Sequence, residues 1–335
     1  MIAYENIRDV HLEISTLCNA ICPLCPRNFH GYPFNDGYPE VNLTLENAKR
    51  IFSVDFIKQL TTLRINGNYG DIVMNPEAVD IVKYFRDSNT FLNISISTNG
   101  SARNKNFWES LAKLKTKVLF CLDGLEDTHD LYRQNTSWKT IIKNASIFID
   151  AGGNAIWKFI KFDHNNHQIE QCRDLSKQMK FIQFELVDQD RNTGPVFNKS
   201  GELTHILGNY TGPTEFKVIL FNKKTDLVLL ENIIPNREPK NKIMCKAKEK
   251  KSIYVAANGE VYPCCWMGFY PRTFGHGEYH QAISAQIIPL LSPNNATEHA
   301  LEDCISWFNN VTQTWNTKTY EQGRLVVCDD ICGSN

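Results

Sequence analysis

The chain is short of net charge and of long apolar runs. Its 36 Lys and Arg face 37 Asp and Glu, for a formal net charge of -1. No broad basic field follows, so bulk charge gives no reason to expect nonspecific nucleic-acid binding, although a local basic site is compatible with it. A stretch such as Ile287-Ile288-Pro289-Leu290-Leu291 is too short to span a bilayer and contains a proline. Met1 to Asp9 lacks the apolar segment of a secretory leader. A cytoplasmic protein with no membrane contact is the expectation. Hydrophobic residues make up 42% of the 335 positions and charged residues 22%, enough for a full core. That length accommodates one large domain and a small one.

Cysteine is what the chain has in quantity. There are eleven, an odd number, and they are clustered. In a cytoplasmic chain, clustered thiols point to metal rather than to disulfides. Cys18, Cys22 and Cys25 stand four and three residues apart, so one short loop can wrap them around a cubic iron–sulfur cluster. Three ligands on four irons leave one iron open to a small molecule. The same thiols could form half of a zinc site, with His11 or His30 as a further donor, or could be buried without a metal.

The first 190 residues repeat a strand–helix pattern. Strands are expected at Val10 to Ser15, Leu63 to Asn66, Leu92 to Ile96, Val118 to Leu122, Ala155 to Phe162 and Phe181 to Val187. Between them lie helical patterns, one capped by Thr44 and one opened by Pro76. Each of several strands ends in a small polar turn: Gly67-Asn68-Tyr69-Gly70-Asp71, Ser97-Thr98-Asn99-Gly100, Asp123-Gly124-Leu125 and Asp163-His164-Asn165. Six such units imply a parallel α/β sheet. Alternation does not say which face of its strand Glu185 takes.

The C-x3-C-x2-C loop resembles the signature of the radical S-adenosylmethionine (radical SAM) enzymes, with Leu24 in the bulky apolar place before the third Cys. Tyr69-Gly70-Asp71 resembles that family's Gly-Gly-Glu element, with Asp for Glu. Leu122-Asp123-Gly124-Leu125 resembles its Ser-Ile-Asp-Gly element, with Cys121 in place of the Ser. The resemblance implies a partial (β/α)6 TIM-like barrel with an open side. It implies a 4Fe–4S cluster on Cys18, Cys22 and Cys25 whose open iron chelates S-adenosylmethionine. It places Gly70, Asp71, Ser97, Thr98, Asn99, Asp123 and Arg133 around that cofactor, with Asn165 as a further contact. The implied chemistry is reductive cleavage to a 5′-deoxyadenosyl radical that takes hydrogen from a substrate.

Six cysteines follow residue 240: Cys245, Cys264, Cys265, Cys304, Cys328 and Cys332. Ala257-Asn258-Gly259 reads as the turn of a hairpin that returns Cys264 toward Cys245. Cys245 and Gly259-x4-Cys264 resemble the start of the SPASM domain and of its shortened form, the twitch domain, both auxiliary-cluster modules of radical SAM enzymes. The long C-x2-C-x5-C-x3-C run of a full SPASM domain is absent, which favours one auxiliary 4Fe–4S cluster on Cys245, Cys264, Cys328 and Cys332. Cys265 is the alternative to Cys264, since strand neighbours point opposite ways. Four thiolates also suit a structural zinc. Cys304 could ligate, pack, or act catalytically as a hydrogen-atom donor to a substrate radical.

The expected division is residues 1–190 as the barrel, 191–242 as a bridge and 243–335 as a small α+β cysteine-rich domain. The expected function is an oxidoreductase-type radical SAM enzyme acting on a peptide or protein. Dehydrogenation or epimerisation of a small metabolite such as a sugar or amino sugar is the alternative. A non-catalytic iron–sulfur or zinc interaction protein is the reading from another class. Flavodoxin or ferredoxin is the expected electron donor, and nucleic acid is not an expected partner.

Overall fold

A computed structural model describes residues 2–33, 39–188, 194–211, 238–272 and 278–334. Six parallel strands stand side by side in chain order: β1 (Asp9–Leu12), β2 (Thr62–Ile65), β3 (Asn93–Thr98), β4 (Lys117–Cys121), β5 (Asn154–Ile160) and β6 (Gln183–Val187). All six expected strands are present, with ends shifted by up to three residues. The largest shift is at the end of β1, where the apolar alternation continues to Ile14 beyond the strand. The sheet is barrel-like, and its strands and helices alternate as a parallel βα fold requires.

Alternation decides the two faces. Leu63 and Ile65, Ile94 and Ile96, Val118 and Phe120, and Trp157 and Phe159 are buried in one continuous core. They meet the helices α1 (Leu45–Ile51), α2 (Val54–Gln59), α3 (Ala78–Ser88), α4 (Lys105–Lys113), α5 (Trp138–Asp150) and α6 (Ile169–Gln178). Trp108 of α4 and Phe148 of α5 both pack against Phe120. Each such large side chain contributes about 1.5–3 kcal/mol when fully buried. Thr44 caps α1, accepting the Asn47 amide at 3.1 Å, as its position before the apolar periodicity implies.

The opposite face mixes polar side chains with Leu119, Ile156 and Ile160. Glu13, Arg64, Ser95, Ser97, Cys121, Lys158 and Glu185 lie on it by alternation. Glu185 therefore points inward, and Lys158 on the neighbouring strand reaches it at 3.6 Å. An inward charge is tolerated because a partner meets it.

Two features extend the expected architecture. After the barrel strands, β7 (Gly194–Phe197) and β8 (Leu203–Leu207) form an antiparallel hairpin. It packs Val196 and Leu207 beside Ala20, Cys22, Tyr132 and Ile160. The apolar run Phe216 to Phe221, which reads as a local strand within the bridge, lies outside the described residues. Second, β9 (Ser252–Val255) and β10 (Val261–Tyr262) form the expected hairpin, yet β9 pairs in parallel with β1. The C-terminal segment thus extends the barrel sheet by two strands, because β1 is otherwise an unpaired edge. No helix among the described residues is long and apolar enough to cross a membrane.

Candidate functional site

The Cys18–Cys25 loop leaves the C-terminal end of β1, and local hydrogen bonds shape it. Cys25 donates its amide to the Cys22 carbonyl at 3.0 Å, and Ile21 donates to Gln134 at 2.9 Å. Asn28 Nδ2 donates to the Cys22 carbonyl at 3.2 Å. Two polar side chains reach the sulfurs: Asn99 Nδ2 lies 3.7 Å from Cys18 Sγ, and an Arg133 guanidinium nitrogen lies 3.8 Å from Cys22 Sγ. Burial pushes the Cys25 thiol up to about 12, with Cys22 adding to it. Burial, Asp71 and the other two thiols also raise Cys18. A bound metal centre offsets such costs, since coordination deprotonates a thiol.

The glycine-rich turn after β2 is held from below by Glu13. This carboxylate is 1% exposed. It accepts the Tyr69 amide at 2.8 Å, the Gly70 amide at 3.0 Å and the Tyr254 hydroxyl at 2.7 Å. A Cβ on Gly70 would overlap the Ser15 carbonyl, and one on Gly67 would overlap Glu13 Oε1. Both glycines are required by close approach rather than by torsion. Burial raises the Glu13 carboxyl above its usual range.

Asp71 joins this turn to the next. Its Oδ1 accepts the Thr98 hydroxyl at 2.6 Å and the Val73 amide at 3.1 Å, while Oδ2 accepts the Asn99 amide at 2.7 Å. A carboxylate offers about four lone-pair sites, so one is left for a cationic ligand. Ser97 is half-buried on the inner face of β3. Beyond β4, Arg133 Nε donates to Asp123 Oδ2 at 2.6 Å, and Asp123 Oδ1 accepts the Ile160 amide at 2.6 Å. The guanidinium also lies 5.1 Å from the Tyr132 ring centre.

Cys18, Cys22, Asp71, Asn99, Asp123 and Arg133 are thus brought together at the C-terminal ends of β1 to β4. Asn165 is not presented to that space. It is fully buried, with Nδ2 donating to the Asp123 and Ile160 carbonyls at 3.2 and 2.9 Å and Oδ1 accepting the Phe162 amide at 2.7 Å. Its polar atoms brace the ends of β4 and β5.

A second group of thiols borders a cavity of about 220 Å³ between β9–β10 and the C-terminal helices. Cys245, Cys264, Cys265, Cys328 and Cys332 all reach its wall, with His11 and Arg64 on the barrel side. Cys245 donates to Cys332, which raises the former and lowers the latter. Burial pushes Cys328 up to about 12. Burial raises Cys265, and the Arg64 guanidinium opposes that shift. Among the described residues, no three His, Cys, Asp or Glu side chains close on a single point as around one ion.

Two further residues singled out in the sequence lie away from the first thiol loop. Cys304 has no exposed surface and sits in the apolar core on the helix Leu301–Ile305, away from the cavity wall. Of the three roles open to it in the sequence, packing is the one this position displays. His11, a conceivable zinc donor to the first loop, instead bonds Asn66 O at 2.6 Å and lines the second cavity. Glu13 was not anticipated at all. Its signal was an acid between Leu12 and Ile14, on the polar side of an alternating strand.

No family model matches the chain. No curated protein matches it in sequence. Solved structures do match. SuiB of Streptococcus suis aligns over 97% of this chain and 73% of its own, with a TM-score of 0.59 at 16% identity. SuiB bound to the precursor peptide SuiA gives 0.52 at 16%, over 97% of this chain and 77% of that one. Tagged anSMEcpe with bound AdoMet gives 0.53 at 15%, over 96% and 85%. In fold, the chain is similar to SuiB and anSMEcpe over nearly its whole length.

Proposed function

We propose that this chain is a radical SAM enzyme that modifies a peptide or protein. One observation carries the proposal: three clustered thiols, a carboxylate-held glycine turn and the Asp123–Arg133 pair converge at the C-terminal ends of adjacent parallel strands. Active sites of strand–helix barrels are built at that end. Cys18, Cys22 and Cys25 would hold a 4Fe–4S cluster. Gly70, Asp71, Ser97, Thr98 and Asn99 would line the S-adenosylmethionine site, and Asp71 has a lone-pair site left for its ammonium. Arg133 would offer positive charge to its carboxylate, held in place by Asp123. Bound there, cluster and S-adenosylmethionine supply one-electron chemistry that removes hydrogen from an unactivated C–H bond.

The chain's own residues orient and shield. Val196 and Leu207 lay apolar surface over the Cys22 side of the loop, which keeps water from it. Cys245, Cys264, Cys328 and Cys332 would hold a second 4Fe–4S cluster, and a cavity bordered by thiols suits a polynuclear group better than one ion. The barrel, bridge and C-terminal divisions at 1–190, 191–242 and 243–335 fit this reading, with β9 and β10 lent to the barrel sheet. The peptide ligand of one matched structure, SuiA on SuiB, favours a peptide substrate. A cytoplasmic flavodoxin or ferredoxin would be the electron donor.

The test is anaerobic reconstitution with iron and sulfide, followed by reduction with dithionite. The protein should convert S-adenosylmethionine to 5′-deoxyadenosine and methionine. Replacing Cys18, Cys22 and Cys25 together with Ala should abolish this. Full cleavage by the triple variant would sink the assignment.

A further inference from the structure

Residues 240–251 hold six lysines and one glutamate, in a chain whose net charge is only -1. Lys242, Lys246, Lys248, Lys250 and Lys251 are exposed. None of the five is paired with a carboxylate among the described residues. This concentration surrounds one of the cavity thiols. Cys245 caps the short helix Lys246–Glu249, its sulfur accepting the Lys248 amide at 3.5 Å. Met244 beside it is 57% exposed. Cys245, Lys246 and Lys250 share the cavity wall with Cys264, Cys328 and Cys332. The base of the lysine patch is therefore the wall of the cysteine cavity.

The patch also has a definite place on the sheet. The Lys251 carbonyl accepts the Arg8 and Asp9 amides at 2.9 and 3.3 Å, at the start of β1. The Cys18–Cys25 loop follows the other end of that strand. A partner seated on the lysines leaves the site at the strands' C-terminal ends free. Residues 240–251 contain no aromatic side chain on which a base could stack.

We propose that Lys242, Lys246, Lys248, Lys250 and Lys251 form a docking surface for a small acidic electron carrier of the flavodoxin or ferredoxin kind, delivering electrons through the cavity that Cys245 borders. The proposal rests on the functional reading above. The carrier would lose one electron, a metal centre held by the cavity thiols would gain it, and no bond would be made or broken. Opposite charge steers such encounters, which are small in area and weaken steeply with salt. Exposed apolar surface at Met244 gives the contact a centre inside a charged rim.

The experiment uses the reconstituted full chain and a purified acidic flavodoxin. Calorimetry at low and high salt measures binding, and stopped-flow absorbance measures reduction by the carrier. The variant K242E/K248E/K251E changes three exposed lysines that do not line the cavity, and circular dichroism checks its fold. Wild-type protein should bind flavodoxin, and the variant should bind at least about tenfold more weakly, with carrier-driven reduction slowed in proportion. Cleavage of S-adenosylmethionine driven by dithionite, which needs no docking, should be the same in both. Equal flavodoxin affinity in wild type and variant would overturn the proposal. So would tighter binding of a single-stranded oligonucleotide or of phosphatidylserine vesicles than of flavodoxin. Absence of dithionite-driven cleavage in the wild type would instead remove the functional reading, and the calorimetric comparison would still decide the docking surface.

Discussion

Glu13 accepts the amide of Gly70 at 3.0 Å across 57 residues of sequence. The same oxygen takes the Tyr69 amide, and the other takes the Tyr254 hydroxyl from β9. One buried carboxylate therefore ties the first strand, the glycine turn and the C-terminal segment together.

Removing that carboxylate leaves two amides and a hydroxyl without partners. Glu13→Ala should destabilise the protein by about 3 kcal/mol or more, at about 1–3 kcal/mol per unsatisfied buried group. Glu13→Gln retains an acceptor at Oε1 and should cost less. Urea unfolding monitored by tryptophan fluorescence separates the two. Equal stability of the Ala variant and wild type would contradict the bracing role.

A pH dependence follows from the same residue. Burial raises the Glu13 carboxyl above its ordinary value of 4.5. The folded state then holds a proton that the unfolded chain has lost, so stability falls as pH rises from about 4.5 toward the raised value. Above it the full cost of the buried charge remains. Asp71, also raised by burial, acts in the same direction. In Glu13→Gln the decline in unfolding free energy between pH 4.5 and pH 7 should be shallower than in wild type. Parallel profiles would mean that Glu13 does not carry this dependence.

Asp71 should matter for both cofactor binding and turn order. Asp71→Ala frees the Thr98 hydroxyl and the Asn99 amide and should weaken S-adenosylmethionine binding by tenfold or more, since a charged hydrogen bond is worth about 1.5–3 kcal/mol. Asp71→Asn retains one acceptor for those donors but loses the charge, so it should stay folded and still bind weakly. Titration calorimetry provides the affinities, and an Asn variant that binds like wild type would limit Asp71 to ordering the turn.

Asp123 has no exposed surface and pairs with Arg133. Arg133→Ala leaves that carboxylate buried and unpaired, which should cost about 3–5 kcal/mol. Asp123→Asn combined with Arg133→Met should recover most of the stability but not S-adenosylmethionine binding. If stability and binding recover together, the pair is structural only.

Metal analysis distinguishes the thiols. Reconstituted protein should carry about eight irons, and the Cys18/Cys22/Cys25 triple Ala variant about four. Cys264→Ala should lose the second cluster, and Cys265→Ala should keep it. Cys304→Ala should leave iron unchanged and lower stability by about 1 kcal/mol or more through the core cavity it opens. One cluster together with tightly held zinc in Mössbauer and metal analysis would overturn the auxiliary-cluster assignment alone.

Local chemistry was legible in the sequence because it depends on spacing. The intervals between Cys18, Cys22 and Cys25, the alternation of Leu63 with Ile65 or Ile94 with Ile96, and the turn residues at strand ends are properties of neighbours. They were sufficient for the six strands, the parallel sheet and the two cysteine groups. The partnerships that matter at the site span long separations, and spacing says nothing of them. Glu13 meets Tyr254 across 241 residues, and Asn68 donates to the Cys265 carbonyl across 197. Whether a cysteine faces a cavity or the core depends on what packs against it, which is why Cys265 and Cys304 differ although both are single thiols in the same segment. Whether Asn165 offers its amide to a ligand depended on two strand ends lying within hydrogen-bond reach of it. Alternation left the face of Glu185 open, and only the register of β5 against β6, which sets Lys158 beside it, decided that the charge points inward with a partner.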